Sequence, residues 1–308
     1  MNKLISVTSL NKNSIYKLVQ STYLMKTCRE PLLKDKTLIN YFCEPSTRTS
    51  ASFHTAMLKL GGNVIPIYGE NSSNQKGESI EDSIKTLNYY GDIIVLRHPD
   101  IEAIYKASNV STIPLINAGN GNGEHPTQAL LDLFTIYDEL LDRSNIDIFN
   151  KGFTITFTGD LQNSRTIHSL IKLLCILHTN ITFIYCGEIG LGIPIDLYNY
   201  VHHNFPIVRQ ITWYSVQEAM DISDVLYMTR IQKERIHNNM SYNLFSLNKN
   251  TISHLNKYTI IMHPLPRQAE LSPEIDEDNR AVYFKQVENG VYMRMALLLE
   301  MLLLSKQV

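Results

Sequence analysis

Four hydroxyls and one guanidinium crowd into Pro45-Ser46-Thr47-Arg48-Thr49-Ser50. A strand-like run precedes them and a helical pattern follows, so they stand at a helix N-terminus. Unpaired backbone N–H groups and the positive end of the helix dipole favour an anion there, phosphate above all. The plainer reading is a Ser/Thr N-cap beside a solvated arginine. His125 and Gln128 flank Pro126 and Thr127 three residues apart, a spacing that lets both face one ligand across a helix turn. A histidine at a helix start can equally be a neighbour of the cap. Arg97, Arg165 and Arg230 each follow a strand-like run, and planar guanidinium forks suit phosphate and carboxylate. In His263-Pro264-Leu265-Pro266-Arg267 each proline lacks a backbone donor, which leaves carbonyls able to accept hydrogen bonds from a ligand.

The elements that must position these groups can be read from periodicity. Residues 37–42 form a strand, and Phe53, Ala56, Met57 and Leu60 share one face of the helix that follows, with Gly61-Gly62 as its stop. An amphipathic helix covers residues 11–25, with Ile15, Leu18, Val19 and Tyr23 on one face. Residues 64–68 form a strand whose Pro66 suits an edge position. The polar stretch 69–77 reads locally as a solvated connector, and residues 78–82 open a helix with acids in its first turn. Strands follow at 92–96 and 113–117. The second runs into the glycine-rich loop 118–124, which has room for close backbone approach to a ligand, and Pro126 opens the next helix.

The pattern restarts near residue 150. Strands at 153–157, 181–185, 211–214, 225–228 and 259–262 alternate with helices, one of them opened by the capping-box pattern Ser215-Val216-Gln217-Glu218. A final helix over 283–303 tolerates Gly290, and its broad apolar face should dock onto the first domain. Alternation of this kind predicts an α/β fold: two α/β domains, each with a central mainly parallel sheet flanked by helices. Ligands bind outside the carboxyl ends of such strands. Arg48, Arg97, His125, Arg165, Arg230 and the 263–267 turn all fall just past a strand, which scattered surface arginines would not do. The candidate active site is therefore the cleft between the two domains.

Composition narrows the class. The 308 residues suffice for two domains, 44% are hydrophobic and 19% charged, and the net charge of −2 carries no nucleic-acid footprint. The four cysteines are scattered without a Cys-x-x-Cys pair, which suits reduced thiols in the cytoplasm. The opening Met1-Asn2-Lys3-Leu4 does not begin a signal-like apolar run, and the greasiest segment, 295–304, is interrupted by Glu300 and too short to span a bilayer.

Glu44-Pro45-Ser46-Thr47-Arg48-Thr49-Ser50 resembles the carbamoyl-phosphate motif of the transcarbamoylases, and residues 125–132 resemble their second motif. Lys76-Gly77-Glu78, the segments 159–161 and 165–170, residues 228–235 and His263-Pro264-Leu265-Pro266-Arg267 look like the aspartate-specific branch. The ornithine branch typically has cysteine where this chain has Pro264. The motifs recur in the family's order along nearly the whole chain.

The resemblance implies transfer of the carbamoyl group of carbamoyl phosphate to the amine of L-aspartate, an early step of pyrimidine synthesis. It needs no cofactor, metal, redox step or covalent intermediate. The implied division is a carbamoyl-phosphate-binding domain, residues 1–140 completed by helix 283–308, and an aspartate-binding domain, residues 150–282. Ser46, Thr47, Arg48 and Thr49 would hold the phosphate with Arg97. Thr49, Arg97 and His125 would donate to the carbamoyl oxygen. Gln128 and the carbonyls of Pro264 and Leu265, in the turn closed by Pro266, would take the carbamoyl NH2. Arg165 would bind the α-carboxylate of aspartate, and Arg230 and Gln232 the β-carboxylate. Ser72, with Ser73 as the alternative, and Lys76 would reach in from a neighbouring subunit of a homotrimer with shared active sites. Regulatory chains are a possible further partner; nucleic acid and membrane are not expected. Two other readings stand beside this one: a carbamoyltransferase for another amine such as ornithine, and an inactive transcarbamoylase-like scaffold subunit.

Overall fold

The runs Leu38-Ile39-Asn40-Tyr41-Phe42 and Ile93-Ile94-Val95-Leu96 are buried residue after residue, without alternation. Strands covered on both faces read this way, and parallel sheets are the usual cause. The computed structural model describes residues 2–69, 77–187, 190–213, 215–232 and 245–303. Among these residues the strands form two five-stranded sheets, and every pairing between strands is parallel.

The first sheet contains β1 (Lys3–Leu4), β2 (Thr37–Phe42), β3 (Asn63–Tyr68), β4 (Ile93–His98) and β5 (Leu115–Asn120), in the order β1-β5-β4-β2-β3. The second contains β6 (Thr154–Gly159), β7 (Thr182–Gly187), β8 (Arg209–Thr212), β9 (Val225–Met228) and β10 (Ile260–Met262), in the order β10-β9-β6-β7-β8. The connecting helices are α1 (Lys12–Thr27), α2 (Thr47–Lys59), α3 (Ile80–Leu87), α4 (Ala103–Val110), α5 (Pro126–Ser144), α6 (Arg165–Cys175), α7 (Ile195–Asn204), α8 (Val216–Met220) and α9 (Tyr283–Leu302). Two compact units result: Met1–Leu131 with Glu288–Val308, and Asp132–Val287.

In the first unit Ile39, Tyr41, Ile94, Leu96 and Leu115 of the sheet pack with Ile84 and Leu87 of α3 and Ile104 and Ala107 of α4. Pro66 does lie on an edge strand, where its missing N–H interrupts no ladder. From Glu288 onward α9 belongs to this unit. There Arg294 lies 5.0 Å from the Phe53 ring centroid and donates to Ser52 Oγ at 3.1 Å. In the second unit Leu226, Met228 and Ile261 pack with Met220, Leu247, Leu271, Ile275 and Tyr283. Phe157 sits between Phe183 and Tyr227, with ring centroids 5.9 and 5.8 Å away. A half-buried acid holds the first residue of a central strand in each sheet: Asp92 accepts from Thr37 N at 2.8 Å, and Asp224 from Thr154 N at 2.7 Å.

Several strands depart from the sequence pattern at their ends. β4 includes Arg97 and His98, and β5 runs on through Ala118, Gly119 and Asn120, so Arg97 is the penultimate residue of a strand rather than a residue beyond it. Ladder bonds from a neighbouring strand override the weak strand propensity of glycine and asparagine. The strand expected at 211–214 starts earlier, at Arg209, and Tyr214 lies outside the described residues. On α1 it is Thr22 and Met25, not Tyr23, that join Ile15, Leu18 and Val19 in the core.

Helix α2 ends as its glycines require. Gly61 has φ +78°, Gly61 N donates to Leu58 O at 3.0 Å, and Gly62 N donates to Met57 O at 3.1 Å, which together make a Schellman motif. A β-carbon on Gly61 would lie 2.4 Å from Pro31 Cβ. Gly61→Ala is therefore expected to lower stability by about 1–3 kcal/mol, read as a lower urea midpoint at unchanged slope. An unchanged midpoint would show that the turn relaxes.

Candidate active site

The strand order of each sheet reverses once. In the first the chain goes from β2 outward to β3 and then returns to β4 on the other side of β2. In the second it goes from β6 to β7 and β8 and then returns to β9 on the other side of β6. Crevices at such reversals, at the carboxyl ends of the strands, are where open α/β sheets bind ligands. The candidate residues of the first unit follow β2, end β4 or follow β5. Those of the second follow β6, β9 or β10.

At the first reversal Ser46 occupies the N-cap position of α2, but its side chain makes no capping bond, and the first turn holds no acid. The cap reading of the serine thus fails on geometry. By contrast α3 is capped by Ser79, which accepts from Asp82 N, and carries Glu81 and Asp82 in its first turn. A helix that supplies its own cap and its own negative charge has little use for an external anion; α2 supplies neither. Thr47 and Arg48 are exposed, while Thr49 is buried. A cavity of about 670 Å3 opens beside this turn, lined by Glu44, Ser46, Thr47, Ser50, His54 and Tyr68 among others. Phe42 pairs with Arg97 across the β2–β4 ladder, and Arg97 Nε donates to Glu44 Oε1 at 2.6 Å. The guanidinium expected to face phosphate is thus held at the motif by the acid that precedes it.

His125 immediately precedes α5, whose first residue is Pro126, and is 4% exposed. Its Nε2 lies 3.5 Å from Thr49 Oγ1, at the outer limit of a hydrogen bond. Two residues that the resemblance sets at one carbamoyl oxygen are therefore neighbours. Gln128 is half-buried on the first turn of the same helix. The glycine-rich approach to His125 serves the chain itself. A β-carbon on Gly121 would lie 2.3 Å from Pro99 O, and one on Gly123 would lie 2.9 Å from the Asn120 side-chain amide. Glu124 closes that loop by accepting from Ser6 Oγ at 2.9 Å and Val7 N at 3.0 Å.

At the second reversal the chain crosses itself closely. Gly159 has φ +105°, and a β-carbon there would come within 2.0 Å of Thr229 O. The next residue, Asp160, is fully buried. Its Oδ1 accepts from Asn163 N at 3.0 Å and its Oδ2 from Gln232 N at 3.1 Å. One carboxylate thus ties the loop that leads to Arg165 to the loop that carries Arg230 and Gln232. Arg165 is the first residue of α6, whose Ser164 makes no side-chain cap and whose first turn holds no acid, the same signature as α2. Arg165 is 7% exposed; Arg230 is half-buried, with a terminal nitrogen 3.1 Å from Ile231 O.

After β10 the turn His263-Pro264-Leu265-Pro266 has a cis Leu265–Pro266 bond and Leu265 at φ +50°. Arg267 is occupied elsewhere: it makes a two-pronged ion pair with Asp276, and Tyr283 lies against both. The hydrogen bond from Arg267 holds the Asp276 carboxyl below its ordinary range. Asp132, in the second sequence motif, is buried and accepts from Tyr227 OH at 2.7 Å and Gln286 Nε2 at 2.6 Å. Burial together with that carboxylate pushes the Tyr227 phenol well above its usual value.

Ser72, Ser73, Lys76 and residues 233–235 lie outside the described residues. Sequence reading missed Asp160, Glu44 as the partner of Arg97, and the network around His263. Asp160 follows Gly159 directly, and a glycine-acid pair closing a strand was the one local signal for it. Among the described residues no group of three or more His, Cys, Asp or Glu side chains could hold a metal ion, and no helix is long and apolar enough to cross a membrane.

Residues 2–138 match the family model for the aspartate/ornithine carbamoyltransferase carbamoyl-P binding domain, and residues 151–301 match that for the Asp/Orn binding domain. The chain is 40% identical over 309 residues to the aspartate carbamoyltransferase catalytic subunit of Thermoplasma volcanium, covering 97% of each. It is 45% identical over 271 residues to the multifunctional protein CAD of Squalus acanthias, covering 87% of this chain but only 12% of that relative's length. A solved structure of Trypanosoma cruzi aspartate transcarbamoylase in complex with carbamoyl phosphate and aspartate superposes with a TM-score of 0.91. It is 37% identical and covers 98% of this chain and 97% of that one. Two motif-bearing sheets, each with cations or oxyanion-type donors gathered where its strand order reverses, and a match along almost the entire chain lead to one assignment: the chain belongs to the aspartate/ornithine carbamoyltransferase family.

Proposed function

We propose that the chain transfers the carbamoyl group of carbamoyl phosphate to the amine of L-aspartate, giving N-carbamoyl-L-aspartate and phosphate, in de novo pyrimidine synthesis. The observation that carries the choice of acceptor is the loop after β9. There Asp160 grips Gln232 through its backbone, next to Arg230. A guanidinium and an amide at that place suit a second carboxylate on the acceptor; ornithine would call for an acid. The catalytic-subunit relative from Thermoplasma volcanium supports the same choice.

In this reading residues 1–140 with 283–308 bind carbamoyl phosphate and residues 150–282 bind aspartate; the two family models support that division. Ser46, Thr47, Arg48, Thr49 and Arg97 hold the phosphate at the uncapped start of α2. Thr49, Arg97 and His125 donate to the carbamoyl oxygen. Gln128 and the carbonyls of Pro264 and Leu265 accept from the carbamoyl NH2. Arg165 takes the α-carboxylate, and Arg230 and Gln232 the β-carboxylate.

Two anions repel each other in water, and the cations offset that repulsion. Alignment of two reactants supplies about 7–11 kcal/mol, and each preorganised donor at the developing oxyanion about 3–4 kcal/mol. The aspartate amine attacks the carbamoyl carbon, the bond to the phosphate oxygen breaks, and the departing phosphate accepts the amine proton. Ser72 and Lys76 act from a neighbouring subunit of a trimer. Exposed Leu58, Ile65 and Tyr68 on α2 and the edge strand β3 give that assembly an apolar surface to cover. The four free cysteines suit a cytoplasmic setting.

The deciding assay is carbamoylaspartate formation by the purified chain, with aspartate and ornithine compared as acceptors. Turnover of aspartate alone is expected; turnover of ornithine, or of neither, overturns the proposal. His125→Ala is expected to lower kcat by about 100-fold or more while carbamoyl-phosphate affinity, measured by calorimetry, changes much less. Equal losses in both would contradict a role at the developing charge. Arg48→Ala and Lys76→Ala chains, each inactive alone, should regain part of their activity when mixed, because some interfaces of a hybrid trimer carry both intact halves. Persistent inactivity with subunit exchange confirmed would argue against shared sites.

A further inference from the structure

His263 lies in a motif whose carbonyls have a proposed ligand, yet its own side chain has no role in the reaction as described above. It is 1% exposed. Its Nδ1 accepts from Leu265 N at 2.8 Å, so that nitrogen carries no proton. The proton is therefore on Nε2, which donates to Glu270 Oε1 at 3.0 Å. The same carboxylate oxygen accepts from Gln268 N at 2.8 Å. Glu270 is 2% exposed. Burial works to raise its pKa, and the hydrogen bonds from His263 and the backbone outweigh that and hold it below the usual range. His263 N in turn donates to Gln286 Oε1 at 3.1 Å, and Gln286 Nε2 donates to Asp132. The imidazole is thus fixed in place, in orientation and in tautomer.

The consequence lies in the peptide plane that follows. Pro264 and Pro266 have no N–H, so Leu265 N–H is the sole backbone donor of the turn 264–266. The Pro264–Leu265 bond is trans, so Leu265 N–H and Pro264 C=O share one plane and point in opposite directions. Whatever holds the N–H aims the carbonyl. We propose that Glu270 and His263 are a pair of positioning residues: Glu270 selects the Nε2–H tautomer of His263, and the bare Nδ1 holds Leu265 N–H so that the Pro264 carbonyl is aimed to accept from the carbamoyl NH2. The inference rests on the carbamoyltransferase reading for its ligand but not for its tautomer.

With alanine in place of Glu270, His263 is free to carry its proton on Nδ1, where it would face the Leu265 N–H donor to donor. Two measurements test this. Nitrogen-15 spectra of histidine-labelled chain, with the His263 signal assigned by its loss in His263→Gln, should show a protonated Nε2 and a bare Nδ1 in the unsubstituted protein. A proton on Nδ1, or on both nitrogens, overturns the proposal whether or not the chain is active. In steady-state kinetics Glu270→Ala should raise the KM for carbamoyl phosphate about tenfold, the worth of one well-made hydrogen bond, and lower kcat, with the KM for aspartate within about twofold. Glu270→Gln, whose amide oxygen still accepts from Nε2–H, should restore both parameters to near their original values. A merely structural role predicts that both KM values move together and that Gln fares no better than Ala; either result overturns the pairing. Absence of carbamoylaspartate formation by the unsubstituted chain sinks the functional reading instead and leaves the tautomer result standing.

Discussion

A parallel sheet whose strand order reverses leaves two neighbouring strands whose loops depart in opposite directions, and nothing in the ladder fills the gap at their carboxyl ends. This chain has that gap between β2 and β4 and again between β6 and β9. Each candidate residue in the described segments is placed with respect to one of these gaps. The β2–α2 turn and Arg97 border the first, and the strand next to β4, β5, delivers His125. Gly159-Asp160 and Thr229-Arg230 border the second, and the strand next to β9, β10, delivers the 263–267 turn. Chemistry on this fold is therefore a matter of which side chains the gaps receive, and the same pattern of reception occurs in both sheets.

Helix starts divide along the same line. Three helices that begin away from a gap are capped by their own chain. Asn11 and Ser14 make a reciprocal capping box on α1, Ser79 caps α3, and Ser215 caps α8 while Glu218 also accepts from the Trp213 indole at 2.9 Å. At α2 and α6 the serine is present but makes no side-chain cap, and no acid offsets the dipole. A helix without local compensation stabilises an anion by the same terms that a cap would have supplied. Acids are not missing from the gaps, however. Asp160 is buried one residue past β6, with its oxygens turned to backbone N–H groups of two loops. Negative charge thus organises the loops from beneath.

Much of this was legible in the linear chain because strands, helix starts and ligand-type side chains are local signals. The run 37–42 reads as a strand because it is mostly apolar and β-prone, and Gly61-Gly62 reads as a stop because one glycine takes positive φ and the next packs closely behind it. What escaped is what depends on distance in the chain. Glu44 and Arg97 meet across a ladder, Asp160 and Gln232 meet across the β6–β9 reversal, and Asp132, Tyr227 and Gln286 join three elements. No periodicity announces such partners. Strand ends escaped for a related reason: Arg97, His98, Gly119 and Asn120 are poor strand formers held in strands by neighbours. The glycines of 118–124 were read as space for a ligand, and the structure fills the space at Gly121 and Gly123 with the protein's own chain.

The segment His263-Pro264-Leu265-Pro266-Arg267 shows why side-chain chemistry alone misleads. Its two ionisable groups look like candidate site residues by type, yet both have internal partners: His263 has Glu270, and Arg267 has Asp276 and Tyr283. What the two prolines add is a turn with few backbone donors, Leu265 N–H alone among residues 264–266. Leu265 at φ +50° costs of order 1–3 kcal/mol for a bulky residue, a cost that the ion pair on one side and the imidazole on the other must hold in place. A turn made of an unstrained dipeptide would need neither anchor. It would also lack a fixed direction for its carbonyls, and in the proposed reaction a carbonyl that accepts from a planar carbamoyl group gains more from direction than from charge.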